Sequence, residues 1–343
     1  MPFFAMQGSA YLLPFYQGVL QGLADAGALK ETTRLAGLSG GALTAALVAA
    51  GISGEGQFNA TTALIKKCSA DGPAGCQPLN GKLAALLDDL LPADAGKSIG
   101  GRVRVWVSAL PNTSANTLAG SVPYGVTDFT SNADLTAALF GSDMIPCFSD
   151  DRTYNLVRGV PAMDGGFSSD FRELCSDAGA SPCVTAATAI VNGAAAGDKG
   201  ASLEACPAAI PGTYATSPAR AGAKGATPLA PPATPQADWA LPAACARGVD
   251  PSTVWPPFVS QGSTLPAGAK PDIYAGARTT GALQAWAACD WLAFALKPDF
   301  AKWESVYEAG LMEAGAWAAE AGWCVEEKGG EGKGVAAAEG NRA

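Results

Sequence analysis

The chain contains no histidine among its 343 residues. Histidine is the commonest general base in enzymes and the commonest metal-binding side chain, so neither role is available to an imidazole here. The absence also excludes a Ser-His-Asp triad. If the chain uses a serine nucleophile, a different side chain must accept the serine proton.

Charged residues are scarce as well, at 15% of the chain, with a net charge of −9. An acidic balance disfavours nucleic acid as a partner and general attraction to anionic membranes. Long hydrophobic runs are missing, because the longest, residues 42–52, has the length of a core helix rather than a membrane span. Hydrophobic residues still make up 48% of the chain, which is enough for a large core.

No charged leader precedes the first predicted strand, because the chain begins Met1-Pro2-Phe3-Phe4. We therefore expect no signal peptide. The expected location is the cytoplasm or the periphery of a lipid surface.

The nine cysteines include no C-x-x-C pair, which disfavours a zinc site. Two pairs are close in sequence, Cys68 with Cys76 and Cys175 with Cys183. Each pair could form a disulfide in an oxidising compartment. Without a visible leader, free buried thiols are the favoured interpretation.

The most informative stretch is Gly37-Leu38-Ser39-Gly40-Gly41, which fits the G-x-S-x-G nucleophile elbow. Such an elbow is a sharp strand-to-helix turn that lifts a serine hydroxyl above the end of a sheet. Gly37 and Gly41 leave room for close backbone approach in that turn. The apolar residues 42–50 then predict a buried helix whose N-terminal amides and dipole point at Ser39.

Alternating strand and helix patterns along the chain predict an α/β fold. Strands are predicted over residues 3–7, 33–38, 102–110, 154–160 and 184–191, and helices over 14–26, 42–50, 57–68, 79–91, 132–140, 280–296 and 300–324. We predict a catalytic domain over 1–192, an Ala/Gly/Pro-rich insertion or linker over 193–270, a C-terminal helical segment over 271–326 and a disordered tail over 327–343.

The C-terminal helical segment carries five of the eight tryptophans: Trp286, Trp291, Trp303, Trp317 and Trp323. The favoured interpretation is that they pack residues 280–324 onto the catalytic domain. The alternative is an apolar lip at a lipid-facing site.

A second motif, Asp164-Gly165-Gly166, follows the elbow at a long interval. An Asp-Gly pair is also a common turn. The order of a glycine turn at Gly8, the serine elbow and this Asp-Gly-Gly resembles the patatin-like phospholipase family over roughly residues 3–192. The missing histidine agrees with that resemblance, because the family uses a Ser-Asp dyad.

The resemblance implies a three-layer α/β/α fold with a mainly parallel sheet, followed here by C-terminal helices. It implies Ser39 as the nucleophile and Asp164 as the general base, with the backbone amides of Gly8, Ser9, Ala10 and Gly40 as the oxyanion hole. No metal or cofactor is expected. The implied substrate is a lipid ester, with peripheral contact to a membrane or lipid droplet and no nucleic-acid partner.

The oxyanion loop departs from the family pattern, because only the first glycine of G-x-G-x-x-G is kept. Ala10 replaces the second glycine and is strained if its φ is positive. Leu13 replaces the last glycine, at the start of the following helix. Asp164 should have a raised pKa through partial burial, and Asp143 and Asp170 are the alternative carboxylates.

Three functions remain open at this stage. The first is a lipid acyl hydrolase acting through a Ser39 acyl-enzyme. The second is an acyltransferase using the same dyad, with a lipid alcohol instead of water. The third is a catalytically silent lipid-binding protein. The rival α/β-hydrolase fold requires a histidine base that the chain lacks.

Overall fold

The computed structural model describes residues 1–69, 76, 79–110, 121–145, 149, 154–188, 271–278, 283, 286, 291, 294 and 299–323. The predicted linker over 193–270, the predicted tail over 327–343 and most of the predicted helix over 280–296 lie outside the described residues.

Eight strands form one mixed sheet in the order β5-β6-β3-β2-β1-β7-β8, and β4 also pairs with β3. The strands are β1 (Phe3–Met6), β2 (Arg34–Leu38), β3 (Val103–Ala109), β4 (Val122–Val126), β5 (Asn155–Val157), β6 (Val160–Asp164), β7 (Cys183–Ala187) and β8 (Ile273–Tyr274). The run β3-β2-β1-β7-β8 is parallel, whereas β4, β5 and β6 pair antiparallel.

Within the described residues, the α-helices are α1 (Leu13–Asp25), α2 (Gly40–Ala49), α3 (Gly54–Cys68), α4 (Leu79–Leu90), α5 (Ala95–Ser98), α6 (Asn132–Ser142), α7 (Phe171–Leu174) and α8 (Trp303–Glu320). The fold class is therefore the predicted one, an α/β sheet of mostly parallel strands with flanking helices and a helix in the C-terminal segment.

Alternation along the strands assigns their side chains to the two faces of the sheet. In β1, Phe4 and Met6 join the core beneath α1, α2 and α8, whereas Phe3 and Ala5 join a smaller cluster with Phe171 of α7. Helices therefore cover both faces, which gives the predicted three layers.

One edge of β3 is shared by two strands, and this arrangement positions the candidate site. Strand β2 pairs with residues 103–106 of β3, and β6 pairs with residues 107–109. The other edge is taken by β4, which pairs along residues 105–109. The C-terminal ends of β2 and β6 therefore meet, with Leu38 opposite Trp106 and Asp164 opposite Val107.

The C-terminal segment contributes a strand that the sequence analysis did not predict. Strand β8 extends the sheet beyond β7, and Arg278 just after it bonds to two glutamates of α8. Glu313 is fully buried and accepts from the Arg278 amide at 2.5 Å, while Glu320 pairs with the guanidinium at 2.6 Å. The segment is thereby tied to the central sheet.

The five C-terminal tryptophans are buried or partly buried against the main core. Trp291 and Trp303 are buried, and Trp303 Nε1 donates to Thr62 Oγ1 at 3.1 Å. Among the described residues, the exposed large hydrophobic side chains are only Met1 and Val122. These tryptophans therefore pack the C-terminal segment against the core, and none of them is among the exposed large hydrophobic side chains.

The preference for free thiols in the two cysteine pairs is wrong, because the structure forms both disulfides. The paired Cα atoms are 4.8 Å apart for Cys68–Cys76 and 5.7 Å apart for Cys175–Cys183, within the usual range for a disulfide. The expected compartment of a protein does not show how close the cysteines at the ends of α3 and α7 lie to their partners.

The described part of the chain contains no helix with both the length and the apolarity needed to cross a bilayer.

Helices α1 and α8 pack closely because glycines line their contact. A Cβ atom at Gly18 of α1 would overlap the Tyr307 carbonyl oxygen, and one at Gly310 of α8 would overlap that of Phe15. By contrast, a Cβ at Gly315 of α8 would meet nothing within 4 Å.

Replacement of Gly310 by Ala is therefore expected to destabilise the protein by about 1–3 kcal/mol through overpacking. The matched control Gly315→Ala should leave stability unchanged or raise it by about 0.5–1 kcal/mol, since alanine favours a helix. Urea unfolding followed by circular dichroism measures both. Equal effects of the two substitutions would show that the contact is not tight.

Candidate active site

Ser39 lies in a strained turn between β2 and α2, as an elbow requires. Its φ is +53° and its ψ is −139°, although serine has a Cβ that disfavours positive φ. Conformations of this kind cost about 1–3 kcal/mol and persist only where the surroundings enforce them. The hydroxyl is thereby presented at the N-terminus of α2.

The motif glycines lie where the backbones around Ser39 crowd together. A Cβ at Gly37 would be 2.5 Å from the amide nitrogen of Ala42, and one at Gly41 would overlap the carbonyl oxygen of Gln7. In the second motif, a Cβ at Gly165 would overlap the carbonyl oxygen of Trp106. These three positions therefore admit no side chain without a backbone shift.

Ser142, the last residue of α6, supports the elbow through its side-chain hydroxyl. The Ser39 amide donates to Ser142 Oγ at 2.7 Å, and Ser142 Oγ donates to the Trp106 carbonyl oxygen at 2.7 Å. Ser142 is fully buried, so its hydroxyl satisfies a donor that has no access to water. This role of Ser142 is not predictable from local sequence, because it depends on where α6 ends relative to the elbow.

Asp164 ends β6 beside the elbow, and its carboxyl group is fully buried. Its Oδ1 accepts from the Gly166 amide at 2.8 Å. Its Oδ2 has no hydrogen-bond donor among the described residues. The Asp164 carbonyl oxygen accepts from Ser108 Oγ at 2.7 Å, which fixes the backbone.

Burial raises the pKa of Asp164 to about 7. The nearby Ser39 hydroxyl and the Gly166 amide stabilise the carboxylate and lower the pKa, but desolvation is the larger effect. The carboxylate can therefore accept a proton near neutral pH far better than an exposed aspartate can.

The glycine turn after β1 lies directly against Ser39. A Cβ at Gly8 would be 3.2 Å from Ser39 Cβ and 3.6 Å from Ser39 Oγ. The backbone amides of Gly8, Ser9, Ala10 and Gly40 donate to no acceptor in the described part of the chain. They can therefore receive a developing negative charge beside Ser39.

The departures from the glycine pattern change this loop in two ways. Ala10 has φ +45°, so it bears the strain expected for a residue with a Cβ at that position. Leu13 packs against the elbow, since its Cδ1 lies 3.1 Å from where a Gly40 Cβ would be. The side chain thus fills space beside the serine.

Asp143 is a second buried carboxyl group at the site, and Asp170 is not part of it. Asp170 caps α7 by accepting from the Arg172 amide, and its pairing with the Arg172 side chain helps to lower its pKa. Burial and the charge of Asp164 instead raise the pKa of Asp143 well above its ordinary value.

An apolar cleft opens beside Ser39. Its walls come from the start of α1, from α2, α3 and α4, and from the C-terminal segment. The lining side chains are mostly apolar: Tyr11, Leu13, Leu43, Leu64, Ile65, Leu79, Leu83, Ile145 and Trp303, with the polar Ser39, Thr61, Asp143 and Ser149. Such a lining suits an alkyl or acyl chain.

Replacement of Ser142 by Ala is expected to destabilise the protein by about 1–3 kcal/mol, because the buried Ser39 amide loses its acceptor. Ser98→Ala is the matched control, since the exposed Ser98 hydroxyl donates only to a carbonyl oxygen of its own helix. Urea unfolding of both variants tests the prediction. Equal stability of the two variants would mean that the Ser142 hydroxyl does not support the elbow.

Comparison with known proteins agrees with this geometry. The family model described as Patatin-like phospholipase matches residues 5–173, a span that begins within β1 and contains β2 to β6, the elbow and Asp164. No individual curated protein sequence matches the chain. Residues 5–173 therefore form a domain of the patatin-like phospholipase family.

Proposed function

We propose that the chain is a lipid acyl hydrolase that cleaves carboxylic esters through an acyl-enzyme on Ser39, with Asp164 as general base. One observation carries the proposal: the strained Ser39 lies between an apolar cleft and a buried carboxyl group with an unpartnered oxygen. An alcohol nucleophile, a base and an apolar binding surface are what ester hydrolysis of a lipid requires.

In this mechanism the Asp164 carboxylate accepts the Ser39 proton as Ser39 Oγ attacks the ester carbonyl carbon. The free amides of Gly8, Ser9, Ala10 and Gly40 donate to the oxyanion of the tetrahedral intermediate. The dipole of α2, whose N-terminus lies at Ser39, stabilises the same charge. Water then releases the fatty acid from the acyl-enzyme.

The cleft favours a substrate with an alkyl chain. Leucine and isoleucine side chains from α2, α3 and α4 line it, and Trp303 of α8 closes one side. We also propose that the helical segment over 271–326 serves the catalytic domain over 1–192 by completing this wall.

Ser39→Ala is expected to abolish covalent labelling by a fluorophosphonate probe and release of p-nitrophenol from medium-chain esters, because no other group replaces the nucleophile. Ser98→Ala should retain both. Mass spectrometry of the labelled protein locates the adduct. Retained activity in Ser39→Ala would refute the assignment. A parent protein that neither labels nor hydrolyses would instead support the silent lipid-binding function.

Hydrolysis should require the ionised form of Asp164, whose pKa is about 7. The rate should therefore fall as pH drops below about 7, where the carboxyl group is neutral, and level off above it. Asp164→Asn should cut turnover by about two to four orders of magnitude, the usual loss of a general base.

The measurement is kcat against pH for the parent and for Asp164→Asn, with folding checked by circular dichroism. Because the chain contains no histidine, an imidazole cannot produce the expected inflection. A folded Asp164→Asn protein with the parent's turnover would assign the base to another group.

A further inference from the structure

Two buried carboxyl groups flank Ser39, but they face different surroundings. Asp164 is fully buried and does not line the cleft, so it approaches Ser39 from the side away from the cleft. Asp143 lines the cleft together with Ser39 and Gly40. Of these two carboxyl groups, Asp143 is therefore the one that a substrate bound in the cleft would contact.

The backbone fixes both carboxyl groups relative to the elbow. Ser142 accepts from the Ser39 amide, and the Met144 carbonyl oxygen accepts from the Asp164 amide at 2.9 Å. Asp143 lies between these two anchors. The Ser149 hydroxyl further ties the turn by donating to the Asp143 carbonyl oxygen.

The Asp143 carboxyl group lies close enough to the Ser39 hydroxyl to be stabilised by it in the ionised form. It is 7% exposed, and its Oδ1 has no hydrogen-bond partner among the described residues. No described cation forms an ion pair with it. An unsatisfied buried polar atom is costly, and such atoms cluster at functional sites.

We propose that Asp143 is a second catalytic carboxyl group, which protonates the leaving alcohol and then activates the hydrolytic water. The proposal rests on the proposed ester hydrolysis at Ser39. It divides the proton transfers between two groups, with Asp164 serving the serine and Asp143 serving the leaving group and the water.

The proton transfers balance over one cycle. In acylation, the Ser39 proton passes to the Asp164 carboxylate as Oγ bonds to the carbonyl carbon, and the departing alkoxide takes the proton of neutral Asp143. In deacylation, water gives a proton to the Asp143 carboxylate as it bonds to the acyl carbon, and Ser39 Oγ leaves with the proton of Asp164. Both carboxyl groups return to their starting states.

The electrostatics agree with these starting states. Burial and, to a lesser extent, the charge of Asp164 favour neutral Asp143 over the opposing effect of the Ser39 hydroxyl, and two adjacent buried carboxyl groups resist ionising together. One ionised and one neutral carboxyl group is therefore the expected resting state near neutral pH.

The test compares Asp143→Asn with Asp164→Asn on two esters of the same acyl chain. A p-nitrophenyl ester has a leaving group that needs no acid, whereas an alkyl ester needs one. Asp143→Asn should give a burst of about one p-nitrophenol per active site, followed by turnover slowed about two to four orders of magnitude. It should show no burst of alcohol release with the alkyl ester.

Hydroxylamine should restore p-nitrophenyl ester turnover in Asp143→Asn, because this nucleophile attacks the acyl-enzyme without a base. It should not restore turnover in Asp164→Asn, which fails at acylation. Asp88→Asn, an exposed aspartate on α4, is the matched control and should behave as the parent.

Fluorophosphonate labelling separates the outcomes. Suppose that the probe labels Asp143→Asn. The role of Asp143 is overturned, with the Ser39 function intact, if this variant keeps the parent's steady-state rates or if its turnover is slowed without a burst of p-nitrophenol. A parent that does not label overturns both. If the probe labels neither Asp143→Asn nor Asp143→Ser, the acylation rate of the parent is measured with esters whose leaving alcohols differ in pKa. A weak dependence of that rate on the pKa of the leaving alcohol supports acid assistance by Asp143. A steep dependence contradicts it.

Discussion

The site depends on one constraint of the sheet, which is that β2 and β6 share a single edge of β3. Because β2 ends opposite Trp106 and β6 ends opposite Val107, the turns that follow them meet. The first turn presents Ser39 and the second begins at Asp164. The Asp164 carboxyl group is fully buried at this position, and burial raises its pKa to about 7. The geometry that unites the two residues thus also adjusts the basicity of the carboxylate.

Two residues of the site are held in strained conformations, and packing elsewhere enforces them. Ser39 and Ala10 both have positive φ, which costs each about 1–3 kcal/mol. Ser142 bonds the Ser39 amide on one side of the elbow. On the other side, α1 begins soon after Ala10, and the glycine contact with α8 holds α1 in place. The C-terminal segment therefore supports the glycine turn although it lies far away in sequence.

The sequence was sufficient to predict the elements with strong local signals. The elbow, its buried helix, the amphipathic helices and four of the five predicted strands follow from periodicity and glycine placement, and the structure contains those four strands within a few residues. The extent of the strand predicted over 154–160 is wrong, because Arg158 and Gly159 form a turn between β5 and β6, and β6 was not predicted. Strand β8 could not be predicted, because two residues carry no periodicity and pair with β7 only in the folded sheet. The short β4 contains Pro123 and Gly125, which weaken a strand signal.

The site was only partly predictable for a related reason. Ser39 and Asp164 stand in recognisable motifs, and the absence of histidine directs attention to a carboxylate. Ser142 and the position of Asp143 within the cleft depend on where α6 ends relative to the elbow, which is a tertiary relation. Both cysteine pairs are identifiable in the sequence, but the preference for free thiols is wrong, because neither cysteine spacing nor the expected compartment shows how close the paired Cα atoms lie.

The central claim is that Asp164 is a buried base that ionises near neutral pH. The most direct test is NMR titration of aspartate carboxyl groups in protein labelled with ¹³C at that carbon, with the Asp164 signal assigned by its loss in Asp164→Asn. The account predicts a midpoint of about 7 for that signal. A midpoint in the range of exposed aspartates, about 4, would contradict it.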